Sequence, residues 1–221
     1  MNPTSTEFAG VPDTDTTAEK IRRREDLVLG KPPRIAPLET SAMADSAVES
    51  TRRIRQAAGS ATPVCASTIP ELVATLLRHP DLFQRVADLS IQLQGSGVLT
   101  PRDRQLVILR TTWLCQAPYA WGEHVRHSKR IGFTTEEIER ATQGSVHPDW
   151  KEDERAILRA VEELYEDAMI SDPTWECLSK RLDDKQLFEL PVLVGQFTTV
   201  AYFQNALRLR LAEGNPGLRA R

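Results

Sequence analysis

Cysteine is scarce in this chain: Cys65, Cys115 and Cys177 are the only three in 221 residues. An odd, widely spaced set excludes a disulfide framework and a cysteine-ligated zinc site, and a reducing cytoplasm is the expected compartment. A basic excess is also missing, since 28 Lys and Arg face 31 Asp and Glu, for a formal charge of −3. That balance argues against an electrostatically driven nucleic-acid binder. No apolar run approaches the roughly 18 residues that a membrane span needs. The first segment is polar and lacks the basic-then-apolar build of a signal peptide. Stretches with the strict alternation of a strand are absent too, so the expected class is all-α.

What is present is helix after helix. Residues 1–33 are rich in Thr, Asp, Ser, Pro and Glu and read as disordered or extended, with a solvated charge run over 19–26. Pro32, Pro33 and Pro37 favour an extended arm over 31–38, which could reach a neighbouring surface. Residues 41–58 have moderate helical character, broken at 59–63. Pro70 and Pro80 each sit where a first helical turn starts. Thr100 can cap the helix that Pro101 and Asp103 open. That helix, 101–116, is apolar on most sides and should be buried. Pro118 starts another, ending at Gly132. Thr134 and Glu137 form a capping box. Helices over 150–167 and from Ser171-Asp172-Pro173 follow. The last, 183–209, is apolar in its middle, and Pro191 either kinks it or sets its start. The tail 211–221 is expected to fray.

Three stretches carry a chemical signal: Leu99-Thr100-Pro101-Arg102-Asp103-Arg104-Gln105-Leu106-Val107-Ile108-Leu109-Arg110, then Tyr119-Ala120-Trp121-Gly122-Glu123-His124, then Ile131-Gly132-Phe133-Thr134-Thr135-Glu136-Glu137-Ile138. In this order they resemble the carboxymuconolactone decarboxylase family, which includes the alkylhydroperoxidase D proteins. Arg34-Ile35-Ala36-Pro37-Leu38 looks like the family's N-terminal arm. Ile170 to Trp175 and Gly195-Gln196-Phe197 look like its C-terminal helices. The resemblance spans 34–210. It implies an alkylhydroperoxidase D-like helical bundle, a homo-oligomer (trimer or hexamer), and an active-site histidine at His124.

Two departures from the family pattern bear on chemistry. The peroxidase branch places a CxxC one turn before the histidine; those positions are Ala117 and Ala120 here. Thiol peroxidase chemistry needs a thiolate and a resolving partner, and Cys115 stands alone. The family's relay glutamate corresponds to Gln105, and an amide orients a hydrogen bond without carrying a proton. His124 is therefore the one obvious proton carrier near neutral pH.

The expected catalytic set is His124, Gln105 and Tyr119, with Trp121, Arg110 and Glu123 as substrate contacts. Ala120, His124, His127 and Ile131 share one helical face, and the start of that helix offers free backbone N–H groups to an anion. Each candidate has a plainer reading: Trp121 as core, Arg110 as an ion-pair member, Gln105 as a buried hydrogen-bond partner. No metal site and no cofactor are expected. The leading reading is a decarboxylase-like enzyme doing acid/base chemistry on a small carboxylate or lactone. The alternatives are a non-catalytic small-ligand binder and, last, an alkylhydroperoxidase.

Overall fold

A computed structural model of the chain describes residues 17–42, 45–57, 63–65 and 68–221. Residues 1–16 and most of the 59–63 break lie outside that set. Among the described residues there is no strand. Ten helices follow one another: α1 Thr17–Val28, α2 Asp45–Ala57, α3 Glu71–Leu76, α4 Pro80–Gly95, α5 Pro101–Leu114, α6 Pro118–Arg130, α7 Thr135–Gln143, α8 Glu152–Asp167, α9 Asp172–Ser179 and α10 Asp184–Leu207.

The central helix is α5, packed by α6, α7, α8 and α10. Its apolar run explains why: Leu106, Val107, Ile108 and Leu109 are wholly buried, as a helix apolar on all sides must be. Its first turn holds the charges. Thr100 Oγ1 accepts from the Asp103 N–H at 3.1 Å. The buried Asp103 carboxylate takes both arms of the Arg181 guanidinium at 2.8 and 3.0 Å. Arg104 donates to the carbonyls of Gln94, Gly97 and Leu99 and so ties down the preceding loop. The last helix starts at Asp184 rather than at Pro191, because Asp183 and Gln186 form a capping box ahead of it.

Two segments, 17–38 and 211–221, are more ordered than their composition suggests. The charge run 19–26 is part of α1, which buries Ile21 and Val28; two apolar anchors suffice to seat an otherwise polar helix. The 31–38 arm lies on its own chain: the Arg34 N–H donates to Leu207 O at 3.0 Å and the Leu38 N–H to Ala74 O at 3.1 Å. The tail 211–221 is not frayed. Leu218 and Ala220 are buried, and Trp121 Nε1 donates to Ala220 O at 3.1 Å. Asn215 Nδ2 donates to Tyr119 O at 3.0 Å, while Asn215 Oδ1 accepts from the Gly217 N–H at 2.9 Å. Short side chains and one asparagine do this work, so no apolar pattern announces it.

Gly122 makes that seating feasible. A Cβ there would fall 1.8 Å from Asn215 Oδ1. Gly122→Ala is therefore expected to lift the C-terminal segment from α6 and cost about 1–3 kcal/mol, read as a lower midpoint in urea unfolding. An unchanged midpoint would mean that the segment is not seated there.

Candidate functional site

The site is built on the reversal from α5 to α6. Gln116 adopts a left-handed backbone conformation (φ 49°), and the Ala117 N–H returns to Thr112 O at 3.0 Å. Asn205 of α10 donates to the Cys115 and Gln116 carbonyls at 3.1 and 3.2 Å, which fixes the turn. Antiparallel packing then brings together side chains 19 positions apart. Gln105 Oε1 lies 3.1 Å from His124 Nδ1, and the buried Ser128 Oγ donates to the same oxygen at 3.3 Å. An oxygen serving both neighbours takes the proton of Nδ1, which leaves the lone pair on Nε2. Phe197 of α10 stands edge-on to the imidazole at 4.9 Å.

His124 borders a cavity of about 240 Å³ walled by α2, α3, α4, α6 and α10. Val73, Phe83, Phe197, Val200 and Phe203 make it largely apolar. Its polar groups are Ser90, Gln94, Tyr119, Glu123, His124 and Gln204. Glu123 is the one charged side chain on the wall; it accepts from Asn215 Nδ2 at 2.8 Å and pairs with Arg126. The buried Gln204 Oε1 has no hydrogen-bond partner among the described residues.

Burial first, then the neighbouring His127 and Arg130, pushes the His124 imidazole down to about 3. It is therefore neutral at pH 7. Burial, then the Glu123 carboxylate, pushes the Tyr119 hydroxyl up, so it keeps its proton. Burial likewise raises the Cys115 thiol. Cys115 packs with Ala117, Ala120 and Ala201 and does not itself line the cavity.

Of the six expected site residues, four meet here: His124 bonds Gln105, while Tyr119 and Glu123 line the cavity. Arg110 does not reach it. Its guanidinium pairs with Glu162 at 2.8 Å and donates to the Ala141 and Thr142 carbonyls at 3.2 and 2.8 Å. It sits five residues past Gln105, so the helical turn carries it to the α7 and α8 side. Trp121 is wholly buried against Trp113 and is no wall of the cavity. Ile131 ends α6 exposed, so the expected apolar face stops before it. Three contributors were not foreseen. Ser128 was legible in principle, one turn past His124 on the same face. Gln204 and Asn215 come from distant segments and carry no local signal. Among the described residues no group of three metal-ligating side chains occurs, and no helix is long and apolar enough to cross a membrane.

Residues 80–163 match the model of the carboxymuconolactone decarboxylase family. This segment belongs to that family. The match contains α5 and α6 whole, and with them Gln105 and His124. Among solved structures, a peroxidase-related protein from Ralstonia eutropha JMP134 described as an alkylhydroperoxidase AhpD core is 16% identical, with a TM-score of 0.68 over 83% of this chain and 94% of that one. The debrominase Bmp8 is 14% identical, with a TM-score of 0.67 over 81% of this chain and 92% of that one. ATU0492 from Agrobacterium tumefaciens, a protein of unknown function, is 23% identical, with a TM-score of 0.57 over 61% and 93%. At these identities the likeness is one of fold. No curated protein matches the sequence. The carboxymuconolactone decarboxylase-family segment thus supplies the histidine and its amide partner, and α10, outside it, supplies Phe197 and Gln204.

The depressed His124 makes a pH-dependent prediction. Unfolded, the ring takes a proton near pH 6.5; folded, near 3. Between those values the unfolded chain binds more protons, so stability is lost as the pH falls through that window. His124→Gln should lose stability less steeply between about pH 6 and 4, checked by thermal melts. Gln105→Glu would set a carboxylate against Nδ1 and should raise the His124 titration by about one to three pH units, read by NMR of the imidazole. A titration left where it was would unseat the pairing.

Proposed function

We propose that this chain is an enzyme that moves a proton on a small, uncharged, weakly acidic ring compound of the lactone or cyclic-enol class. The observation that carries this reading is the charge pattern of the His124 cavity. Its wall holds a neutral imidazole with an open Nε2, an unpartnered Gln204 Oε1 and one carboxylate, and no cation. Two open acceptors favour a ligand that donates O–H or N–H. A carboxylate substrate would find no counter-charge there, and burying an unpaired anion is costly. Of the two substrate classes implied by the family resemblance, the lactone avoids that cost and its enol form supplies the O–H, whereas the free acid brings the unpaired anion.

In this reading Nε2 takes a proton from the acidic C–H or O–H of the ring, and the electron pair stays on the substrate as an enolate. The enolate stands beside the new imidazolium, and this attraction offsets the low basicity of the buried ring. Gln105 holds Nδ1–H throughout and carries no proton itself. The α6 N terminus has no side-chain cap, so the Tyr119 and Ala120 N–H groups of its first turn are available to the enolate oxygen. Proton transfer needs no group beyond these. A cysteine-to-alanine variant of Bmp8, a fold neighbour, has been crystallised in complex with 2,3,4-tribromopyrrole, an uncharged ring with a weakly acidic N–H.

The second reading is a non-catalytic binder, favoured by an amide at position 105 where the family relay has an acid. The two separate in D2O. With unsaturated five-membered lactones and cyclic enols, the wild type should exchange the acidic ring proton for deuterium. His124→Gln should slow that exchange by about 100-fold or more. Ligand-induced thermal stabilisation without exchange would instead support the binder, and exchange that survives His124→Gln would end the proposal.

A thiol-peroxidase activity is not expected, because Cys115 is buried, its thiol is pushed up, and no second cysteine stands near it in the α5–α6 turn. Dithiol-dependent consumption of an organic hydroperoxide that disappears in Cys115→Ser would contradict this.

A further inference from the structure

Gln204 stands on the wall of the His124 cavity at 3% exposure, and its Oε1 has no hydrogen-bond partner among the described residues. The backbone that carries it is held on both sides. Asn205, the next residue, donates to the Cys115 and Gln116 carbonyls. The Arg34 N–H donates to Leu207 O and its guanidinium to Ala206 O, each at 3.0 Å. The Leu209 N–H closes the end of α10 on Gln204 O at 3.0 Å. A buried acceptor left unmatched in so fixed a setting costs stability and calls for an explanation.

Its place along α10 supplies one. Phe197, which stands against the His124 ring, and Gln204 share one face of α10. Seven residues separate them, about 10 Å along the helix axis. Val200 lines the cavity between them and offers no hydrogen bond. The Asn205 clamp sets the Gln204 end over the start of α6, while His124 lies in the second turn of that helix. The cavity thus has an open acceptor at each end.

Building on the proton-transfer reading, we propose that Gln204 is a specificity-determining residue that selects a bifunctional substrate: a lactone or cyclic enol whose acidic position meets His124 and whose short side chain, on the far side of the ring, ends in a hydroxyl that donates to Gln204 Oε1. A methyl group in place of that hydroxyl would fill the space and leave the oxygen unpaired. A site built around a hydrogen bond rejects such an isostere far better than an apolar pocket separates two alkyl groups.

The test uses an unsaturated five-membered lactone with a hydroxypropyl side chain and its butyl isostere, titrated calorimetrically into the full chain. The wild type should bind the hydroxypropyl lactone about 10- to 100-fold more tightly. His124→Gln should keep that ratio, since binding selectivity does not need the proton-transfer group. Gln204→Leu should abolish the preference. It should also melt at or above the wild-type temperature, because it removes an unmatched buried acceptor. No binding of either lactone at millimolar concentration, equal affinities in the wild type, or a preference that survives Gln204→Leu would overturn the assignment. So would a lower melting temperature in both Gln204→Leu and the isosteric Gln204→Met, which would make the amide a structural group. Deuterium exchange that persists in His124→Gln with the ratio intact would end the proton-transfer reading alone and support Gln204 as the selector.

Discussion

Everything at the site depends on one constraint, the antiparallel seating of α6 on α5. The chain reverses at Gln116 and Ala117, and Asn205 clamps the turn from α10. Only this reversal sets Gln105 beside His124. The buried apolar run of α5 holds the helix in place along its length, and its first turn is tied to neighbouring segments by the Asp103–Arg181 pair and by Arg104. Burial of the α5 core is therefore what positions the His124 imidazole at the edge of a cavity.

The amide at position 105 changes the chemistry while keeping the geometry. A carboxylate there would favour the imidazolium; an amide leaves the ring neutral and still fixes its tautomer. Burial and the nearby His127 and Arg130 act in the same direction. The result is a histidine that offers an acceptor and no charge, set in an apolar wall.

The C-terminal segment ties the site to the rest of the fold. Asn215 binds both the Tyr119 carbonyl and the Glu123 carboxylate, so the first turn of α6 and the acid on the cavity wall are held by residues about 90 positions away. Gly122 is the opening through which that asparagine approaches. Arg221 lies over Trp113 and Trp121, and Trp121 packs wholly in the core beside Trp113.

Periodicity and capping residues alone determined the all-helical class, the buried character of α5 and the starts at Pro101, Pro118 and Thr135, because these follow from local backbone chemistry and from helical spacing. His124 was singled out through family resemblance. Gln105 was identified through family resemblance, and the bond it makes confirms the spacing. What only the tertiary structure decided was direction and partnership. Arg110 lies one turn and a half from Gln105 in sequence, yet it faces Glu162, since a buried guanidinium goes where a carboxylate can match it. Residues 17–28 and 211–221 look solvated by composition, yet a few contacts seat them: Ile21 and Val28 for one, Asn215 and Leu218 for the other. Gln204 enters the cavity from α10 with no local signature. Such contacts join segments far apart in the chain, and no pattern confined to a few helical turns records them.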